Sequence, residues 1–181
     1  IENLLAEKRT FPPDPAFVAQ ANATVALYDE AAADDVGFWD RQARERLSWF
    51  TPYAETLEWD LPDAKWFTGG ELNTCYNALD LHVDKGRGGQ AALIYDSPVT
   101  GTITSFTYRE LRDRVARLAG ALAGLGVSKG DRVIIYMPMV PEAVFAMLAT
   151  VRIGAIHSVV FGGFAAASLA ARIDDAQPRV M

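Results

Sequence analysis

The sequence predicts an α/β fold: an N-terminal helical and extended segment, then the first strands and helices of a mostly parallel sheet. Three observations carry that prediction. Arg132–Met137 reads Arg-Val-Ile-Ile-Tyr-Met, a nearly continuous apolar run of the kind buried on both faces in a parallel sheet. Pro138 ends that run, Pro141 opens a helix, Ala143–Ile153 fills it with apolar side chains, and Gly154 closes it. Ala155–Phe161 is the next apolar strand, so the unit is expected to be a βαβ element with a right-handed crossover.

The remaining elements follow in chain order. After Phe11-Pro12-Pro13, the alanine-rich stretch Pro15–Ala33 places Phe17, Val18, Ala21, Val25 and Tyr28 near helical spacing. Asp34–Leu47 predicts a second helix, with Phe38, Trp39, Ala43 and Leu47 apart from Asp40, Arg41, Arg44 and Glu45. Between Trp49 and Tyr76 the periodicity fades, and aromatics, prolines and glycines dominate. That segment cannot bury its rings alone, so it is expected to wrap against a neighbouring domain; an aromatic platform for a sugar or nucleotide is the weaker alternative. Asn77–His82 predicts a short helix. Ala91–Asp96 and Thr102–Thr107 alternate as a hairpin around Val99-Thr100-Gly101. Thr107-Tyr108-Arg109-Glu110 is a capping box, followed by the apolar stripe Leu111, Val115, Leu118, Ala119, Leu122 and Leu125 and a left-handed stop at Gly126. A helix over Ala165–Ala176 and a third parallel strand beginning at Arg179-Val180-Met181 complete the pattern. A sheet stopping there would leave a buried strand's edge unpaired, and the chain begins without methionine. Both features predict a piece of a larger enzyme.

Composition narrows the function classes. Half of the 181 residues are hydrophobic, enough for one sizeable core. A net charge of −6 argues against nucleic-acid or anionic-membrane surfaces, which need a basic excess. Arg109, Arg112, Arg114 and Arg117 interleave with Glu110 and Asp113, as on the solvated face of a helix. Cys75 is the single cysteine, so no internal disulfide can form; a buried small residue in a reducing, cytoplasmic setting is expected. No apolar run reaches bilayer length, and no signal-peptide core is present.

Few residues can carry chemistry. His82 and His157 lack the spacing of a metal site, and His157, within a strand, reads as a core histidine in preference to one facing a cleft. Asp34-Asp35 and Asp174-Asp175 read as capping or surface positions, because adjacent side chains diverge on helices. No Walker loop, Gly-x-Gly-x-x-Gly turn or Gly-x-Ser-x-Gly elbow occurs. Gly69-Gly70 and Gly86 with Gly88-Gly89 read as turns. Gly162-Gly163 differs: it follows a predicted parallel strand and precedes a helix, at the carboxyl end where open α/β sheets bind ligands. A tight strand-to-helix turn explains the pair equally well.

The stretches Tyr136-Met137-Pro138-Met139-Val140-Pro141-Glu142-Ala143 and Arg152-Ile153-Gly154-Ala155-Ile156-His157-Ser158-Val159-Val160-Phe161-Gly162-Gly163-Phe164 resemble the AMP-forming short-chain acyl-CoA synthetases of the adenylate-forming superfamily. The likeness extends through Lys129-Gly130-Asp131-Arg132-Val133, Phe106-Thr107-Tyr108, Trp66-Phe67, Leu72-Asn73 and Trp49-Phe50-Thr51-Pro52. It implies a two-step ligase: a carboxylate attacks ATP to give an acyl-adenylate and pyrophosphate, then the thiol of coenzyme A displaces AMP. It also implies that residues 1–79 form the family's N-terminal extension and 80–181 the truncated beginning of its AMP-binding domain. Phe161, Gly162 and Gly163 match the family's coenzyme A wall and are the cofactor-binding candidates; no catalytic or metal-binding residue is assigned. The phosphate loop, the phosphate-holding arginines, the Mg2+ ligands, the acyl-pocket tryptophan and the catalytic lysine are expected beyond Met181. The first segment resembles the acetate branch, whereas Ile94-Tyr95-Asp96-Ser97-Pro98 is closer to the propionate branch. The rival classes are a non-catalytic module binding coenzyme A or a nucleotide, and a structural domain whose edge a partner chain covers.

Overall fold

A computed structural model describes residues 8–163 and 165–181. Their contacts divide the chain into two compact units. One comprises the described residues up to Arg46 with Glu55–Thr68, and the other Leu47–Ala54 with Gly69–Met181.

The first unit holds α1 (Pro15–Ala19), α2 (Val25–Ala33), α3 (Asp35–Arg46) and the antiparallel pair β1 (Glu55–Asp60) and β2 (Asp63–Thr68). The single helix expected over Pro15–Ala33 is therefore two. Asp14 caps α1 by accepting from the Ala16 amide at 2.7 Å, and Thr24 adopts an extended conformation before α2. Asn22 and Thr24 favour such breaks because their side chains compete for backbone partners. Asp34 accepts from the Gly37 amide at 2.9 Å and so begins α3, the capping role expected of it. Gly37 permits that approach, since a Cβ there would meet the Asp34 carboxylate at 2.1 Å. On α3, Asp40 pairs with Arg44 and accepts from the Thr56 hydroxyl at 2.7 Å.

The hairpin β1–β2 falls where the sequence reads as irregular. Leu57 faces Trp66 and Trp59 faces Ala64 on one side of the ladder, while Glu58 pairs with Lys65 on the other. Residues Asp60 to Asp63 make the connection, with a cis Leu61–Pro62 bond at its centre. The flanking pieces lie in the second unit, where Thr51 bridges Glu71 and the buried Tyr53 packs edge-on against Trp49 at 4.9 Å.

The second unit continues with a helix of wide π-type turns at Tyr76–Asp80 and Val83–Arg87, longer than the Asn77–His82 helix the sequence predicts. β3 (Ala91–Ser97) and β4 (Thr102–Thr107) form the expected hairpin, and α4 (Tyr108–Gly124) follows directly. The capping box is complete: the Glu110 amide donates to the Thr107 hydroxyl at 3.2 Å, and the Thr107 amide donates to the Glu110 carboxylate at 2.9 Å. Leu111, Val115, Ala119 and Leu122 are buried as the stripe predicts. Leu125, at the C-cap, is exposed instead because the helix has already ended at Gly124. Gly126, at φ 85°, supplies the left-handed stop.

The amide and hydroxyl of Thr107 hold the Glu110 carboxyl below its ordinary pKa. With the folded-state pKa depressed, that contribution is present above the unfolded pKa and is lost as the pH falls through the folded one. Glu110→Gln is therefore expected to melt earlier than the native chain at pH 7, with the two melting temperatures converging in acid. Circular dichroism melts at both pH values check this, and a constant gap would refute it.

The sheet comes next: β5 (Arg132–Met137), α5 (Pro141–Arg152), β6 (Ile156–Phe161) and α6 (Ala166–Ala176). β5 and β6 are parallel along their whole length, from Arg132 opposite Ile156 to Met137 opposite Phe161. The third strand expected at the chain's end is present as a parallel bridge between Val180 and Val133, on the other side of β5. The Ile134 amide donates to the Val180 carbonyl at 3.0 Å there. Val133 and Ile135 enter a core shared with Leu111, Val115, Ala143, Phe145 and Ala149, while Ile134 is buried as well, so β5 is covered on both sides. The α/β fold read from the sequence is the one observed.

Candidate functional site

Parallel pairing brings the carboxyl ends of β5 and β6 side by side, which places Met137-Pro138 next to Phe161-Gly162-Gly163. A Cβ on Gly162 would lie 3.2 Å from both the Met137 carbonyl carbon and the Pro138 nitrogen. Those are main-chain atoms, so the missing side chain lets the two strand ends close together, and the tight-turn reading of this glycine holds. At Gly163 a Cβ would meet the Phe161 ring at 2.8 Å, a side chain able to rotate away. Phe161 is 60% exposed, and both glycines are exposed beside it. The three sequence candidates therefore form one accessible surface at the carboxyl end of the parallel strands, the end at which open α/β sheets as a class bind ligands.

The other sequence candidates lie elsewhere. His157, opposite Val133 in the ladder, is half-buried. His82 packs at a tilt against Tyr108, 4.7 Å between ring centres, and accepts from Arg87; burial, then the charges of Arg87 and Lys85, push its pKa down. It is thus neutral. Asp174 and Asp175 are exposed on α6. Cys75 is fully buried, as the sequence predicts, and burial pushes its thiol pKa up. Asp131 caps the turn before β5, accepting from the Ser128 amide at 2.8 Å and hydroxyl at 2.9 Å, which holds its carboxyl low. Among the described residues no group of three or more His, Cys, Asp or Glu is placed to hold a metal ion. No helix among them is long and apolar enough to cross a membrane.

A polar cluster that sequence reasoning did not identify as a unit sits at the opposite end of the sheet, where α5 turns into β6. Arg152 grips Asp80 with both guanidinium arms, at 2.6 and 2.9 Å, and its Nη1 lies 3.6 Å from the Cys75 sulfur. The carboxylate bond raises the arginine's pKa further above its ordinary value. Asn73 donates to the Val151 and Arg152 carbonyls, both at 3.1 Å, and accepts from the Tyr76 amide at 3.0 Å. A cavity of about 240 Å³ lined by Phe50, Asn73, Tyr76, Asp80 and Arg152 opens beside it. The one local sequence signal was a lone arginine closing an otherwise apolar helix.

A parallel α/β unit with an exposed glycine turn at the carboxyl end of its strands is the class of scaffold on which enzymes bind nucleotides and coenzymes. Comparison with known proteins gives the family. Residues 81–181, more than half of the chain, match the AMP-binding enzyme family, and the chain belongs to it. Residues 24–78 match the acetyl-coenzyme A synthetase N-terminus. An acetyl-coenzyme A synthetase of Streptomyces avermitilis is 51% identical over 182 residues, covering all of this chain and 28% of the relative. An uncharacterized protein of Pseudomonas aeruginosa is 60% identical over 151 residues, 82% of this chain and 24% of the relative. Among solved structures, the acetoacetyl-CoA synthetase from Streptomyces lividans superposes with a TM-score of 0.79 at 31% identity, over 92% of this chain and 28% of that one. The chain thus spans about a quarter of the length of these relatives.

Proposed function

We propose that this chain is the N-terminal part of an AMP-forming acetate–CoA ligase, with residues 1–79 as its extension and 80–181 as the beginning of its AMP-binding domain. The observation that carries the reading is the consecutive pair of matches: an acetyl-coenzyme A synthetase N-terminus over 24–78, then the AMP-binding enzyme family over 81–181. The extension match favours this over a generic coenzyme-binding module or a structural domain. In the proposed reaction an acetate oxygen attacks the α-phosphorus of ATP and expels pyrophosphate, and the coenzyme A sulfur then attacks the acetyl carbon and releases AMP. Phe161, Gly162 and Gly163 are assigned to one wall of the coenzyme A site, because they join an exposed aromatic face to open main chain at the carboxyl end of the sheet. No residue of this chain is assigned to catalysis or to the Mg2+ that accompanies ATP. Its partners are the small-molecule substrates and the remainder of its own chain, in the cytoplasm.

Propionate is the alternative acid, favoured by the Ile94-Tyr95-Asp96-Ser97-Pro98 segment in β3 and the turn after it. The deciding assay measures AMP release by the complete protein with ATP, coenzyme A and either acid. Acetate is expected to give the higher kcat/KM. Faster turnover of propionate would transfer the assignment to that acid, and AMP release with neither would overturn the ligase reading.

A further inference from the structure

Asn73 serves two helices at once. Its Oδ1 accepts from the Tyr76 amide at 3.0 Å, the bond of an N-cap to a helix that begins at residue 74 and leads to Asp80. Its Nδ2 donates to the carbonyls of Val151, which also accepts from the Gly154 amide at 3.1 Å, and of Arg152, both in the last turn of α5. The amide orientation is fixed by these partners, since a flipped amide would set its oxygen against two carbonyls. Arg152 extends the junction by gripping Asp80 through both carboxylate oxygens. Both connections join residues more than 70 positions apart in sequence.

Two residues beyond Arg152 the backbone turns at Gly154, φ 74°, and β6 begins at Ile156, whose amide donates to the Asp131 carbonyl at 2.8 Å. β6 pairs with β5 along its whole length and carries the fully buried Val160. Such a strand has little freedom to absorb a displacement at its start, because slippage would reverse its faces. Its far end is the turn whose Gly162 lies against the main chain of Met137 and Pro138.

We infer that Asn73, supported by the Arg152–Asp80 pair, is a positioning residue: it clamps the junction of α5 and β6 and thereby sets the place of the Phe161–Gly162–Gly163 turn. A segment matched to the N-terminal extension would then act on the coenzyme side of the reaction without touching the coenzyme. The inference rests on the proposed assignment of that turn to coenzyme A.

Asn73→Asp separates the two duties of the side chain. Aspartate remains a good N-cap, but it presents oxygen where the α5 carbonyls need a donor. In the complete protein, backbone hydrogen exchange at 156–163 is expected to speed up about fivefold, while the hairpin 91–107 keeps its native rate. The KM for coenzyme A is expected to rise by about the same factor, with acetate-dependent ATP–pyrophosphate exchange nearly unchanged. Asn73→Gln, which keeps the amide on a longer arm, should recover part of both effects. Faster exchange confined to 151–155, or equal losses in both half-reactions, would overturn the clamp. A native protein without ligase activity would remove the functional reading alone, and the exchange pattern would still decide whether Asn73 governs the turn.

Discussion

Phe145→Ala is expected to be among the most destabilising single truncations in the second unit, at about 3–5 kcal/mol. Phe145 is buried on α5 and meets the Phe106 ring of β4 edge-on, 5.3 Å between centres. The Arg114 guanidinium of α4 covers both rings, 5.1 Å from one centre and 5.7 Å from the other. Removing the ring therefore opens a cavity where the hairpin, α4 and α5 converge and deprives the arginine of part of its aromatic seat. Because whole domains are stable by only about 5–15 kcal/mol, such a loss should be plain in a urea titration. Val99→Ala is the control: Val99 is 94% exposed at the hairpin turn, and its loss should fall within about 0.5 kcal/mol. Equal midpoints for the two variants would refute this account of the core.

Much of that core was legible in the sequence, because its signals are local. The capping box, the stripe on α4, the proline that opens α5 and the apolar run of β5 each announce themselves within a few residues. The hairpin β1–β2 was not legible. Its alternation of Leu57 and Trp59 with Thr56 and Glu58 is short and lies among prolines and other aromatics, and its turn has Leu61-Pro62 in place of a glycine signal. The alanine-rich N-terminus misled in the other direction, since alanine favours a helix but could not carry one across Asn22 and Thr24. Least legible was the clamp. Asn73 and Arg152 acquire meaning only from partners that folding brings from more than 70 residues away. The glycine pair shows a third case: its position was readable, whereas the nearness of Gly162 to the neighbouring main chain required coordinates.

That nearness makes Gly162→Val the sharpest functional test. The Cβ of any side chain there falls 3.2 Å from Met137 and Pro138 main-chain atoms, and valine adds two methyl groups beyond it. Neither neighbour yields easily. Met137 is paired with Phe161 in the ladder, and Pro138 is held between β5 and the start of α5 three residues on. Strain from such overpacking costs about 1–3 kcal/mol, most simply relieved by moving the exposed turn outward. If that turn is a wall of the coenzyme site, a shift of about 1 Å should slow thioester formation by about 100-fold. Adenylation, followed as acetate-dependent ATP–pyrophosphate exchange, should keep most of its rate. Gly163→Ala offers the contrast, because its nearest contact is the movable Phe161 ring, and its effect on coenzyme A turnover should be much smaller. Equal loss of both half-reactions in Gly162→Val would mark a folding defect, and undisturbed thioester formation would take the turn out of the coenzyme site. Selective loss of the second step would tie a glycine held against main chain to the chemistry proposed for it.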